Sequence, residues 1–238
     1  MYSLTFAIQN YKNMKKIILA FAAASTFFAA CNSSSDADKV SATDAQEVTT
    51  SGDTLNANIA ESNVEWLASK GLGKLEIGKT QHHGTFKLQA GYLLVDSSNA
   101  ITGGKFTIDI KSLKTDDMTD TAYTHKLEGH LLSPDFFNAD TFATATLEIT
   151  AVSNTVDTVG LLMKDATHTI TGNLTLKNVT KSISFPAKVS QANGVITADA
   201  HFTFDRTQWN LSYGNDKSFK DKFIHPDVTL KIHTVCSK

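Results

Sequence analysis

The sequence predicts an all-β fold: eight antiparallel strands closed into a barrel, with a short helix near one mouth. Three observations predict it. Apolar residues recur with period two in eight separate stretches, turn-forming residues separate those stretches, and one segment drops the alternation for helical spacing.

The strands come in order. Val64, Trp66 and Ala68 alternate with Glu65 and Ser69, and Phe86, Leu88 and Ala90 with Lys87 and Gln89. Phe106, Ile108 and Ile110 alternate with Lys105, Asp109 and Lys111, and Ala145, Leu147, Ile149 and Ala151 with Thr146, Glu148 and Thr150. In the second half, Ile170, Leu174 and Leu176 share one side across Gly172, and Ile183, Phe185, Ala187 and Val189 share another. Ile196 to Phe204 is the longest clean alternation, and Val228, Leu230 and Ile232 close the series. Ser97-Ser98-Asn99, Ser153-Asn154, Lys177-Asn178 and Asn193-Gly194 supply turn chemistry at the joins. Strands with one apolar face suit an antiparallel sheet, and closing it removes exposed edges. The opposite faces carry Lys, Asp and Glu, which a lipid-facing barrel wall would not tolerate. Between the third and fourth strands, Thr119 to Leu132 has no alternation. Leu127 and Leu131 lie four apart on one helical face and Pro134 stands just beyond, so a helix there could roof one mouth.

The formal charge of −2 adds two unlike parts. Residues 1–30 contain Lys12, Lys15 and Lys16 and no acid, so the remainder is mildly acidic at −5. Lys15-Lys16 leads into an apolar run of about a dozen residues and small residues before Cys31, the pattern of a secretory signal. Met14 fits as its start. The run is shorter than the ~20 residues of a membrane span. Phe28-Ala29-Ala30-Cys31 resembles the lipobox of bacterial lipoproteins, which implies acylation of Cys31 and membrane attachment through it. Residues 31–56 are polar, Thr-rich and poor in bulky apolar groups, the composition of a flexible tether. The expected organisation is a leader over 1–30, a tether over 31–56 and one barrel domain over 57–238. The expected location is the cell envelope, at the periplasmic face or the cell surface of the outer membrane.

Several function classes are poorly served. One arginine, Arg206, leaves no basic nucleic-acid footprint. With Cys31 acylated, Cys236 has no partner for an internal disulfide. Gly-x-Ser-x-Gly, His-Glu-x-x-His and a Gly-rich phosphate loop are absent. Asp116-Asp117 reads as solvated turn charge. His82-His83, His125 and His130 are the best argument for a metal, but His125 and His130 fall about 140° apart on a helix and no thiolate completes a set. No metal and no catalytic residue are expected. By its pattern alone, an eight-stranded barrel is either filled by side chains such as Phe106, Ile108, Phe185, Phe202 and Phe204 or holds a ligand.

Four segments carry a family resemblance. Gly172-Asn173-Leu174-Thr175-Leu176-Lys177-Asn178-Val179-Thr180-Lys181 resembles the G-x-L-T-x-x-G-V-T-K segment of the YceI-like polyisoprenoid-binding family. His130-Leu131-Leu132-Ser133-Pro134-Asp135-Phe136-Phe137 is similar to its H-L-x-S-x-D-F-F motif, and Asp205-Arg206-Thr207-Gln208-Trp209 to its D-R-[ST]-x-[WF] stretch. Ser62 to Trp66 with Gly84-Thr85-Phe86 resembles its first hairpin. Order and spacing agree across 57–238. Leu127-Glu128 replaces the Arg-Asp pair that commonly precedes the His-Leu motif, Asn178 replaces a glycine, and Phe142 stands where a proline is usual.

The resemblance implies a lipocalin-like barrel whose lumen binds a long apolar ligand (polyisoprenoid, quinone-like or fatty-acyl) for sequestration or transport, without catalysis. Its lining candidates are Trp66, Phe86, Phe106, Ile108, Leu131 and Phe136 from the first half, and Leu174, Leu176, Phe185, Phe202, Phe204 and Trp209 from the second. His130 and Arg206 are the head-group candidates, and no cofactor beyond bound lipid is implied. The alternatives are a filled structural or partner-binding barrel and an enzyme for a hydrophobic substrate. The enzyme would need His130, Asp135 and Arg206 to converge.

Overall fold

The computed structural model describes residues 39–48, 51–71, 80–157, 161–215 and 223–238. The leader expected over 1–30 and the lipidation candidate Cys31 lie outside them. Three short strands come first: β1 (Lys39–Val40), β2 (Thr43–Asp44) and β3 (Asp53–Ala57). The wall follows as β4 (Asn63–Lys70), β5 (Thr80–Val95) and β6 (Ile101–Thr115), then helix α1 (Thr121–Leu132). It continues with β7 (Thr144–Ser153), β8 (His168–Leu176), β9 (Val179–Ala192) and β10 (Val195–Asp205). A one-turn 3-10 helix (Arg206–Trp209) precedes β11 (Ile224–Ser237).

Strands β4 to β11 pair antiparallel with their sequence neighbours, and β11 pairs back onto β4, closing an eight-stranded barrel. The eight wall strands are those the alternation marks, but β5 and β6 are longer than it shows. Register shifts, one between Leu88 and Ala90, reverse which residues face inward. Phe86 and Leu88 are buried before it, Leu93 and Val95 after it. The connections use left-handed residues where the sequence offers them. Lys177 and Asn178 both have positive φ between β8 and β9, as do Asn193 and Gly194 between β9 and β10. Such pairs match the twist of a two-residue hairpin, and asparagine tolerates them, so Asn178 serves where the resemblance expects glycine.

The residues read as a tether, 31–56, are in part built into the wall, which corrects that expectation. Strands β9 and β10 pair from their hairpin, Val195 opposite Ala192, as far as Ala200 opposite Ala187 and then diverge. In the gap, β1 runs parallel to β10 (Lys39 opposite Thr203, Val40 opposite Phe204) and β2 antiparallel to β9 (Thr43 opposite Ser182). The segment is then fastened by Asn173, a buried residue of β8. Gln46 N–H donates to its Oδ1 at 2.9 Å, and its Nδ2 donates to the Gln46 carbonyl at 2.7 Å. Backbone pairing, the Asn173 amide and an ion pair from Lys39 to Asp227 at 2.6 Å hold this strap, with Val40 and Ala42 its small apolar contribution to the core, so its composition conceals it. Strand β3 also precedes the expected boundary at 57. It pairs with the second half of β5 and the end of β11, burying Leu55.

Helix α1 starts two residues later than expected. Asp120 caps it, accepting from Ala122 N at 2.8 Å and Tyr123 N at 3.3 Å. It is tied to β6 by Glu128, whose Oε1 accepts from Thr115 N at 2.9 Å and whose Oε2 lies 3.6 Å from Lys114 Nζ. Glu128, a departure from the resembling motif, thus docks the helix. No helix among the described residues is long and apolar enough to cross a membrane.

Candidate functional site

The barrel is filled at one end and hollow at the other. At the end away from α1, Phe185 and Phe202 stack with centroids 4.5 Å apart, and Leu93, Ile149 and Ile196 are buried around them. What remains there is a void of about 60 Å³ touching Phe106, Phe185 and Ala187. At the α1 end lies a cavity of about 540 Å³, within the size range of small-molecule sites. Its walls come from alternate residues of the strands: Val64, Trp66 and Ala68 of β4, Phe86 of β5, Ile108 and Ile110 of β6, Ala145 of β7, Leu174 and Leu176 of β8, Phe204 of β10, Val228 and Leu230 of β11. Leu127 and Leu131, four apart on α1, line it as the helical spacing predicts, together with Phe136 and Phe137 from the turn after the helix.

The expected lining residues therefore divide. Trp66, Phe86, Ile108, Leu131, Phe136, Leu174, Leu176 and Phe204 surround the cavity. Phe106, Phe185 and Phe202 belong to the filled end. Trp209 is 0% exposed and packs edge-on against Phe204 at 5.3 Å, while its Nε1 donates to the Leu174 carbonyl at 2.9 Å. It supports the wall from behind. Its role is packing, because its one polar atom is satisfied by backbone.

The two head-group candidates meet in an aromatic corner. His130 stacks edge-on against Phe136 at 5.2 Å and Tyr213 at 4.7 Å, and the Arg206 guanidinium lies over the Phe136 ring at 5.6 Å. Both touch the cavity. Arg206, however, is buried and already bonded. Its Nε donates to the His225 carbonyl at 3.2 Å, one terminal nitrogen to Leu211, and the other to Tyr213 at 2.9 Å and Ile224 at 3.0 Å. Burial pushes its pKa below the usual arginine value, opposed by the nearby Asp205 carboxylate. The fork thus fixes the 211–213 connection to the start of β11, leaving little to offer a ligand.

His130 Nε2 lies 3.3 Å from Asp135 Oδ2, but the Asp135 side chain is 59% exposed. Two residues of a catalytic trio meet at the rim, and the third is committed to carbonyls. His82 and His83 are likewise engaged, with Asp117 and Asp116, holding the β6–α1 connection against β5. Burial raises the Asp117 pKa, yet hydrogen bonds from the His82 ring and the His83 amide outweigh it and hold it below the usual value. Among the described residues no group of three His, Cys, Asp or Glu is arranged to hold a metal.

The polar lining is Ser69 and Lys70 at the end of β4, His82, Lys126 and His130 on α1, and Arg206 with Tyr213 from the β10–β11 connection. One further polar atom on the wall lacks a partner. Trp66 is 7% exposed, and its Nε1 is buried with no acceptor among the described residues. Sequence marks Trp66 as apolar and inward; that its N–H would lack a partner depends on neighbours from β5 and β11 that only the folded register brings together.

A closed antiparallel barrel with an apolar chamber under an inserted helix defines the class: a helix-roofed, partly hollow β-barrel. Residues 54–236 match the YceI-like domain, and the chain belongs to that family. In structure it is similar to BcnA of Burkholderia cenocepacia, with 23% identity, 75% of this chain and 98% of the other covered, and a TM-score of 0.55. It is also similar to a polyisoprenoid binding domain from Saccharophagus degradans implicated in plant cell wall breakdown, with 11% identity, 77% and 97% covered, and a TM-score of 0.51. No curated protein matches the chain.

Proposed function

We propose that this protein is a lipid-anchored envelope protein that sequesters or carries one long apolar molecule, of isoprenoid, quinone-like or fatty-acyl class, without transforming it. The observation that carries this reading is the 540 Å³ apolar chamber in a barrel otherwise packed shut. Each CH₂ moved from water into such a wall contributes about 0.8 kcal/mol, so affinity grows with chain length more than with directed contacts. Membership of the YceI-like family and the fold shared with a polyisoprenoid binding domain support the same class of ligand. Catalysis is disfavoured because Arg206 has its donors committed to backbone carbonyls and Asp135, beside His130, is largely exposed.

Anchoring rests on the lipobox-like Phe28 to Cys31. A barrel anchored through that residue would stand beside a membrane able to supply its ligand. Organic extraction and native mass spectrometry of purified protein test the binding: a co-purifying lipid is expected, and a protein that neither carries nor takes up any apolar chain would sink the proposal. Palmitate labelling tests the anchor. Cys31→Ala should abolish incorporation, and undiminished labelling would remove the lipoprotein assignment.

A further inference from the structure

We infer that the ligand of this cavity presents a neutral hydrogen-bond acceptor, an ether, carbonyl or hydroxyl oxygen, to the indole Nε1–H of Trp66. The inference rests on the apolar-ligand reading above and narrows it from any long chain to an oxygen-bearing one.

The chain has two tryptophans, and the fold treats them differently. Trp209 is wholly buried outside the cavity, and its N–H is satisfied by the Leu174 carbonyl at 2.9 Å. Trp66 is more than nine-tenths buried on the cavity wall, and its N–H has no acceptor among the described residues. An indole nitrogen can only donate, so no rotation of a proton relieves it. Its cross-strand neighbours explain the lack: Gly84 on β5 has no side chain, and Leu230 on β11 has no acceptor in its own. Gly84 is fixed by packing as well, since a Cβ there would lie 1.8 Å from the Lys114 carbonyl oxygen. A buried donor without a partner is costly and uncommon. One that borders an empty apolar chamber is positioned to receive its acceptor from the chamber's occupant.

The surroundings set the charge of that acceptor. Lys70, the cavity's cation on the same strand, is four residues further along β4, about 13 Å at strand rise. Arg206 has its donors committed to carbonyls. A neutral oxygen at Trp66 needs only the N–H, whereas an anionic one would also need a cation brought to it from Lys70, Lys126, His82 or His130 elsewhere on the lining.

Two probes of matched chain test this on the purified full chain: farnesene, a pure hydrocarbon, and farnesyl methyl ether, whose oxygen only accepts. Wild-type protein should bind the ether about tenfold more tightly, the effect of one neutral hydrogen bond. Trp66→Phe keeps an aromatic ring and removes the donor, so whatever the smaller ring costs in farnesene binding, the variant should bind the two probes equally and lose the preference for the ether. In wild-type protein the two indole N–H resonances give a second readout that needs no folded Trp66 variant. The ether should move the Trp66 signal downfield and leave the Trp209 signal in place, and farnesene should produce no such downfield shift. Equal affinities for the two probes, or an unmoved Trp66 signal with the ether bound, would overturn the inference while leaving apolar binding intact. Failure of both probes to bind would instead remove the ligand-holding reading and this inference with it.

Discussion

Replacing Arg206 separates a structural clamp from a ligand contact. Arg206→Met keeps most of the side chain's apolar stem and removes the fork that bonds the carbonyls of Leu211, Tyr213, Ile224 and His225. Hydrogen bonds from a charged donor contribute about 1.5–3 kcal/mol each, but the buried cation also pays a desolvation cost that the substitution relieves. A net loss of about 3–5 kcal/mol is expected. For a domain of this size that lowers Tm by on the order of 10 °C, read by thermal and urea unfolding. Arg206→Lys should recover less than half of the loss, because one ammonium cannot span four carbonyls set by a planar fork. Since Leu211, Tyr213 and Ile224 line the cavity, uptake of hydrocarbon and oxygenated chains should weaken together. Stability unchanged within about 0.5 kcal/mol, with selective loss of an anionic-headed ligand, would refute the clamp and restore Arg206 as a head-group residue.

Other expectations follow from the same geometry. Ala145→Phe projects a ring into the chamber and should abolish ligand uptake while leaving the melting temperature nearly unchanged, measured by extraction and thermal unfolding. Asn173→Ala removes both bonds to Gln46; a loss of about 1–3 kcal/mol and faster amide exchange at Gln46 are expected. Gly84→Ala forces β5 and β6 apart at Lys114 and should lower both stability and ligand affinity, read by urea unfolding and chain uptake. Burial pushes the Cys236 thiol from 9.0 up to about 11. The folded state therefore keeps that proton longer than the unfolded chain. Its stabilisation is complete below about pH 9 and lost between pH 9 and 11, about 2–3 kcal/mol in urea titrations that Cys236→Ala should flatten. Alkylation at pH 8 should require unfolding.

Much of the fold was legible because a barrel strand with one apolar face writes its period directly into the chain. Ile196, Ala198, Ala200, Phe202 and Phe204 needed no partner to be read. The strap was not legible: Lys39–Asp44 contributes backbone pairing to the β9–β10 gap, and no side-chain period records that. The bulge after Leu88 was hidden for a related reason, since a register shift is a property of two strands. For the site, Leu127, Leu131, Phe136 and Trp66 could be marked as inward or roof-facing. Arg206 could not be resolved, because an arginine inside a motif looks the same whether it awaits a ligand or holds four carbonyls.

Whether the barrel is hollow was not encoded in the alternation at all, and the reason lies in its ends. Both ends present inward residues of mixed size: Ala68 and Ala145 with Phe86 and Trp66 at one, Ala187 and Ala200 with Phe185 and Phe202 at the other. The strands alone therefore do not decide which end stays open. The connections do. At the α1 end the β6–β7 connection carries the roof helix and its aromatic turn, and the β10–β11 connection carries Arg206 and Tyr213 across to meet them at His130 and Phe136. These two insertions prop the chamber from outside, so side chains need not converge on its axis to stabilise it. The same division explains why two of the recognisable motifs, His130–Phe137 and Asp205–Trp209, fall in or beside connections. A wall position needs only an apolar group of suitable size, whereas the roof needs particular residues, because it must span a space that nothing in the protein fills.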